Sequence, residues 1–183
     1  MKKLGNLLIG LIVFACHKTE DIVPKTDELN AMKNGNVWIN LDNSFRVFSG
    51  ISNDYDHEMC NSAEKVDFTL TIYNADKDRR ESVSFSKIPK QIGSYTLINT
   101  TDGCKEQSIK VSYYTLGEDG DVIFGVYTLL TIADNKLIID KYEESTKIMN
   151  GKFSATFIKT SGQQSSPDTI KFSNGVFKVK LNI

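Results

Sequence analysis

Apolar and polar residues alternate with a period of two along most of this chain. Phe68, Leu70 and Ile72 alternate with Thr69, Thr71 and Tyr73, and Val83 and Phe85 alternate with serines. Ile109, Val111 and Tyr113 alternate with Lys110, Ser112 and Tyr114. Phe153, Ala155 and Phe157 do so with Ser154, Thr156 and Ile158, and Phe177, Val179 and Leu181 with Lys178, Lys180 and Asn182. A period of two sets one series against a core and the other in water. Strands are predicted at Val37–Leu41, Phe45–Ser49, Val66–Tyr73, Glu81–Ile88, Gly93–Asn99, Ser108–Leu116, Val122–Thr131, Lys136–Tyr142, Gly151–Lys159 and Asp168–Asn182. β-Branched and aromatic residues dominate these runs, as pleated surfaces favour.

The links between them read as turns. Glu118-Asp119-Gly120-Asp121 and Ala133-Asp134-Asn135 separate apolar runs, and Asn150-Gly151 and Asn174-Gly175 carry the pair that favours type I′ hairpins. The polar stretch Thr160 to Asp168 is expected to be a long hairpin loop. Asp27 to Met32 reads as one helical turn ending at Asn34-Gly35, where a residue tolerant of positive φ stands. The expected fold is all-β: one domain over 27–183, an antiparallel meander of about ten strands forming a β-sandwich or a barrel-like closure. If Phe177–Leu181 were a terminal strand, its free edge would suit a protein partner added as a further strand.

The first sixteen residues follow a different pattern. Met1-Lys2-Lys3 is positively charged, Leu4 to Phe14 is apolar, and Val13-Phe14-Ala15-Cys16 closes the run. The run is too short to span a bilayer, which takes about 20 apolar residues, and it has the make-up of a secretory signal. Its end resembles the lipobox of a bacterial lipoprotein. That resemblance implies a signal peptide over 1–15, lipid (including palmitate) on Cys16, and a flexible tether over 16–26. His17-Lys18-Thr19-Glu20-Asp21 resembles the surface-export signal of lipoproteins in the Bacteroidota. The expected location is the outer membrane, surface-exposed or facing the periplasm, with lipid as the membrane attachment.

Removing Lys2 and Lys3 with the signal leaves 20 basic and 23 acidic side chains, a net charge of −3. No basic patch of the kind nucleic-acid binders carry is present in the sequence. Lipid on Cys16 leaves Cys60 and Cys104, an even pair that suggests one disulfide in an oxidising compartment. Two free thiols are the alternative. The bridge would close about 44 residues and contribute about 3–4 kcal/mol in the chain-entropy model.

Catalytic chemistry is poorly supplied. His57 is the one histidine beyond the tether, and no nucleophile elbow or phosphate-cradling loop is present. No catalytic residue is assigned, and a hydrolase is the least favoured class. Asn53 to Glu58 offers oxygen ligands without the spacing of a calcium loop, and Glu118 to Asp121 reads as a turn, so no metal site and no cofactor are expected. The aromatics, Tyr113-Tyr114 among them, are candidates for a sugar-stacking platform, since adjacent strand residues face opposite ways.

Lys33-Asn34-Gly35-Asn36-Val37-Trp38, Ile92 to Leu97, Asn150 to Ala155 and Ile170 to Phe177 resemble an uncharacterised family of small β-rich Bacteroidota lipoproteins. The resemblance implies location and fold and carries no activity. The functional expectation is a non-enzymatic binding or accessory module holding a glycan or an envelope protein. A structural lipoprotein acting through protein contacts is the alternative.

Overall fold

A computed structural model describes residues 27–39, 44–51, 65–99 and 108–183. Cys16, Cys60, Cys104, His57 and the Asn53 to Glu58 cluster lie outside the described residues. The described chain forms eleven strands and no helix. They are β1 (Glu28–Lys33), β2 (Asn36–Val37), β3 (Ser44–Ile51), β4 (Lys65–Tyr73), β5 (Arg79–Pro89) and β6 (Gly93–Ile98). Then come β7 (Ser108–Leu116), β8 (Ile123–Leu129), β9 (Lys136–Glu143), β10 (Ile148–Gly162) and β11 (Thr169–Lys180).

All eleven belong to one sheet, ordered β2-β1-β11-β10-β9-β6-β7-β5-β4-β3, with β8 joined to both β10 and β7. Pairing is antiparallel except for the parallel contact of β6 with β7. The fifteen-residue β10 serves two neighbours along one edge: Ile148 to Ser154 pair with β9, and Phe157 to Gly162 pair with β8. Two asparagines fill the fork. Asn99 Nδ2 donates to Leu129 O at 2.8 Å, and its Oδ1 accepts from Leu129 N–H. Buried Asn135 donates to Leu130 O and accepts from Thr156 N–H, both at 2.8 Å. These amides bond backbone groups of Leu129, Leu130 and Thr156 where the strands part.

The inward series is the one the alternation predicts. Phe68, Leu70, Ile72, Val83, Phe85, Ile109, Val111, Tyr113, Phe153, Ala155, Phe157, Phe177, Val179 and Leu181 are all buried. The sheet curls until distant strands touch through their rings. Phe68 on β4 meets Phe177 on β11 at 5.2 Å between centroids. Phe172 on β11 meets Tyr113 on β7 at 5.2 Å and Trp38 at 4.7 Å. Each buried ring contributes about 1.5–3 kcal/mol relative to an exposed one, and edge-to-face contacts add specificity.

Three local expectations change. Asp27 to Met32 is not helical: Glu28–Lys33 pairs with β11, and that pairing overrides the helix-forming Glu, Leu, Ala and Met. Asn34 (φ 51°) and Gly35 (φ 82°) then form the two-residue β1–β2 hairpin turn. The second Asn-Gly pair, Asn174-Gly175, lies inside β11, where Asn174 (φ 53°) takes the left-handed conformation of a bulge between Phe172 and Gly175. The third, Asn150-Gly151, lies inside β10. Finally, β11 is not terminal. It pairs with β1 and β10 on its two sides as far as Lys178, so Phe177 and Lys178 offer no edge for strand addition.

Candidate functional site

The strand register gives the molecule two ends. At one end β1 begins at Glu28, beside Lys178. The turns 34–35, 74–78, 117–122 and the loop 163–168 gather at the opposite end. Turn 117–122 is the tight turn the acidic sequence predicts. Gly117 N–H donates to Val122 O at 2.8 Å, and Asp119 caps Asp121 N–H at 3.2 Å. Loop 163–168 is tied down by Lys159, whose ammonium reaches Ser166 O at 2.6 Å and Asp168 at 2.9 Å.

Beneath this end the inward series turns polar. Glu81 precedes Val83 and Phe85 in the inward set of β5 and is buried. Its carboxylate accepts from Lys33 Nζ at 2.8 and 2.7 Å and from the Tyr113 hydroxyl. Lys33 lies on β1 and Tyr113 on β7, so the three residues clasp a strand to the far side of the curled sheet. Alternation along single strands does not bring these three residues together. An acid in step with Val83 and Phe85 was the available signal, because a buried carboxylate requires a partner.

Tyr113 is 1% exposed, and its hydroxyl is held well above the usual tyrosine range, first by burial and then by the Glu81 charge and hydrogen bond. Burial also raises Tyr127, Tyr95 and Tyr142, the last to about 12 with help from the Glu144 carboxylate. A tyrosine with a raised folded-state value stabilises the fold fully below its unfolded value of about 10, and that contribution is lost as pH climbs past it. Thermal melts at about pH 8 to 11 are expected to stay level to about pH 9 and fall above about pH 10. Tyr113→Phe should flatten that fall; an unchanged slope would assign the alkaline loss to other groups.

The outward face of β3, β4, β5 and β7 differs from this closed cluster. Arg46, Thr71, Ser82 and Tyr114 stand in one cross-strand row, and Phe48, Thr69, Ser84 and Ser112 in the next. The hydroxyls of Thr71 and Ser82, and of Thr69 and Ser84, pair at 2.9 Å. Thr71 and Ser82 are buried between taller neighbours, whereas Phe48 is 51% exposed. The Arg46 guanidinium lies over the Tyr73 ring at 5.2 Å. Of the Tyr113-Tyr114 pair, Tyr113 goes to the core and Tyr114 stays half-buried on this face.

No group of three or more His, Cys, Asp or Glu is placed to hold a metal among the described residues. No described helix is long and apolar enough to cross a membrane. Comparison with protein-family models, with curated proteins and with solved structures finds no match.

Proposed function

We propose that this chain is an exported lipoprotein, anchored through lipid on Cys16 to the outer membrane, that works as a non-enzymatic binding module. The observation that carries the binding part is the outward face of β3, β4, β5 and β7. There, exposed Arg46, Phe48 and Ser112 stand with half-buried Thr69, Ser84 and Tyr114, while Thr71 and Ser82 lie buried between them. The buried ionisable cluster, by contrast, has its carboxylate filled by Lys33 and Tyr113. The signal-like residues 1–16 support the anchoring. Membership of the family of small β-rich Bacteroidota lipoproteins is part of the same reading. A bridge between Cys60 and Cys104 would suit that compartment.

The anchor is tested by expressing the full chain in a Gram-negative host with labelled palmitate. Label and membrane partition are expected in the natural chain and should both disappear in Cys16→Ala. Label retained in Cys16→Ala would overturn the anchor. A structural role through protein contacts is the second reading. It is favoured by the exposed apolar residues Val122, Ile123 and Val126 near the gathered turns.

A further inference from the structure

We propose that Asn34 is a self-modification site, deamidating through a cyclic imide in the folded chain while the other Asn-Gly pairs are held intact. The inference does not depend on the binding-module reading. Asparagine is a thermolabile residue. When glycine follows it, no side chain hinders the next backbone nitrogen. That nitrogen gives its proton to solvent base and attacks the side-chain Cγ. The N–Cγ bond forms, the Cγ–Nδ2 bond breaks, and ammonia leaves. Water then opens the imide at either carbonyl. The product is aspartate or, where the main chain is rerouted through Cγ, isoaspartate. Water is the only co-reactant and ammonia the only leaving group.

The chain carries three such pairs, Asn34-Gly35, Asn150-Gly151 and Asn174-Gly175, and the fold treats them differently. Space is the first difference, because ring closure builds new bulk beside the glycine. A Cβ placed on Gly35 would meet nothing within 4 Å. One on Gly151 would lie 2.2 Å from Ile138 O, and one on Gly175 would lie 2.5 Å from the Phe153 ring. Backbone freedom is the second difference. Asn34 and Gly35 are the exposed residues of a hairpin turn, and among the described residues the Gly35 N–H donates to no backbone carbonyl. Asn150-Gly151 is paired on both sides, to β9 and β11, and Asn174-Gly175 lies within β11 between β1 and β10.

The modification has a structural consequence. Asn34 Nδ2 donates to Thr169 O at 3.3 Å, and its Oδ1 accepts from Lys171 N–H at 2.7 Å. The longer bond is the one the reaction removes, and aspartate then sets a carboxylate oxygen against Thr169 O. Isoaspartate does more, because it lengthens the main chain inside a turn whose register pairs Lys33 with Asn36. Lys33 is the residue that reaches Glu81, so the change loosens the clasp from its β1 end.

The test incubates the full chain, purified in detergent, in mildly alkaline water labelled with heavy oxygen, beside a sample denatured in urea. Peptide mapping reads heavy-oxygen uptake and isoaspartate at each asparagine. In the folded sample, Asn34 is expected to convert about tenfold or more ahead of Asn150 and Asn174. That lead should collapse in the denatured sample, where no neighbour crowds any of the three. Conversion should quicken with pH, since the attacking nitrogen must lose its proton. The converted chain should melt below the fresh one, and Asn34→Asp, which keeps the main-chain length, should lose less. Folded-state conversion led by Asn150 or Asn174, or an undiminished Asn34 lead after denaturation, would overturn the assignment. An Asn34 that converts only in urea would do so too, by showing that its bonds to β11 protect it. A melt unchanged by conversion would overturn the loosening of the clasp.

Discussion

Replacing Glu81 by Ala is expected to lower the unfolding free energy by about 2–3 kcal/mol, read as a shift of the urea midpoint at unchanged slope. The loss has two parts. The Tyr113 hydroxyl, 1% exposed, loses its acceptor, and a buried donor without a partner costs about 1–3 kcal/mol. The Lys33 ammonium loses both carboxylate contacts in a half-buried position, where its 30% side-chain exposure lets solvent screen part of the penalty. The estimate therefore sits below the range for a fully buried broken pair. The same physics predicts rescue. Lys33→Met, Glu81→Leu and Tyr113→Phe together remove every polar group of the clasp and should return stability to within about 1 kcal/mol of the natural chain. The exposed pair Lys136–Asp134 is the control, and Asp134→Asn should cost no more than about 0.5 kcal/mol. A Glu81→Ala protein as stable as that control would show that the clasp does not hold β1 to the far side of the sheet.

Gly151→Ala is expected to cost about 3 kcal/mol, or to prevent folding, although the change adds a single methyl group. A Cβ at Gly151 would lie 2.2 Å from the Ile138 carbonyl oxygen and 2.5 Å from the Phe177 ring. Neither can withdraw freely. Ile138 O belongs to the neighbouring strand β9, and Phe177 packs on Phe68 across the interior. Thinning the ring with Phe177→Leu should recover only part of the loss, because the backbone oxygen remains. Gly35→Ala separates space from conformation: nothing lies within 4 Å of its Cβ, so its cost comes from positive φ alone. Circular dichroism melts of the three variants check the order. A Gly151→Ala protein within about 0.5 kcal/mol of the natural chain would mean that β9 and β10 adjust at this point.

The two glycines show what a local reading can and cannot separate. Asn34-Gly35 and Asn150-Gly151 carry the same dipeptide, and one is a hairpin turn while the other is interior strand. The first needs glycine for its torsion angle and the second for the space taken by the Ile138 carbonyl oxygen and the Phe177 ring. Both come from other strands, β9 some 13 residues before Gly151 and β11 some 26 residues after it. Nothing adjacent to Gly151 announces them. The helical turn expected over Asp27 to Met32 fails for a related reason. A six-residue segment with four helix formers carries too little intrinsic stability to resist a partner strand that pairs with it from Glu28 to Lys33.

The sequence by itself determined which residues face inward. A strand has a period of two whatever its neighbours, so Phe68, Val83, Ile109, Phe153 and Phe177 declare their side before any partner is known. It also determined the acidic turn at Glu118 to Asp121, whose glycine and capping aspartate act within a few residues. The tertiary structure alone decided which strands pair. Both the division of β10 between β8 and β9 and the parallel contact of β6 with β7 depend on register between segments far apart in the chain. The clasp and the outward face were decided the same way. Lys33, Glu81 and Tyr113 come from three strands, as do Arg46, Ser82 and Tyr114. Alternation assigns each of them a side of the sheet; only the curl and register of the assembled sheet bring them within reach of one another.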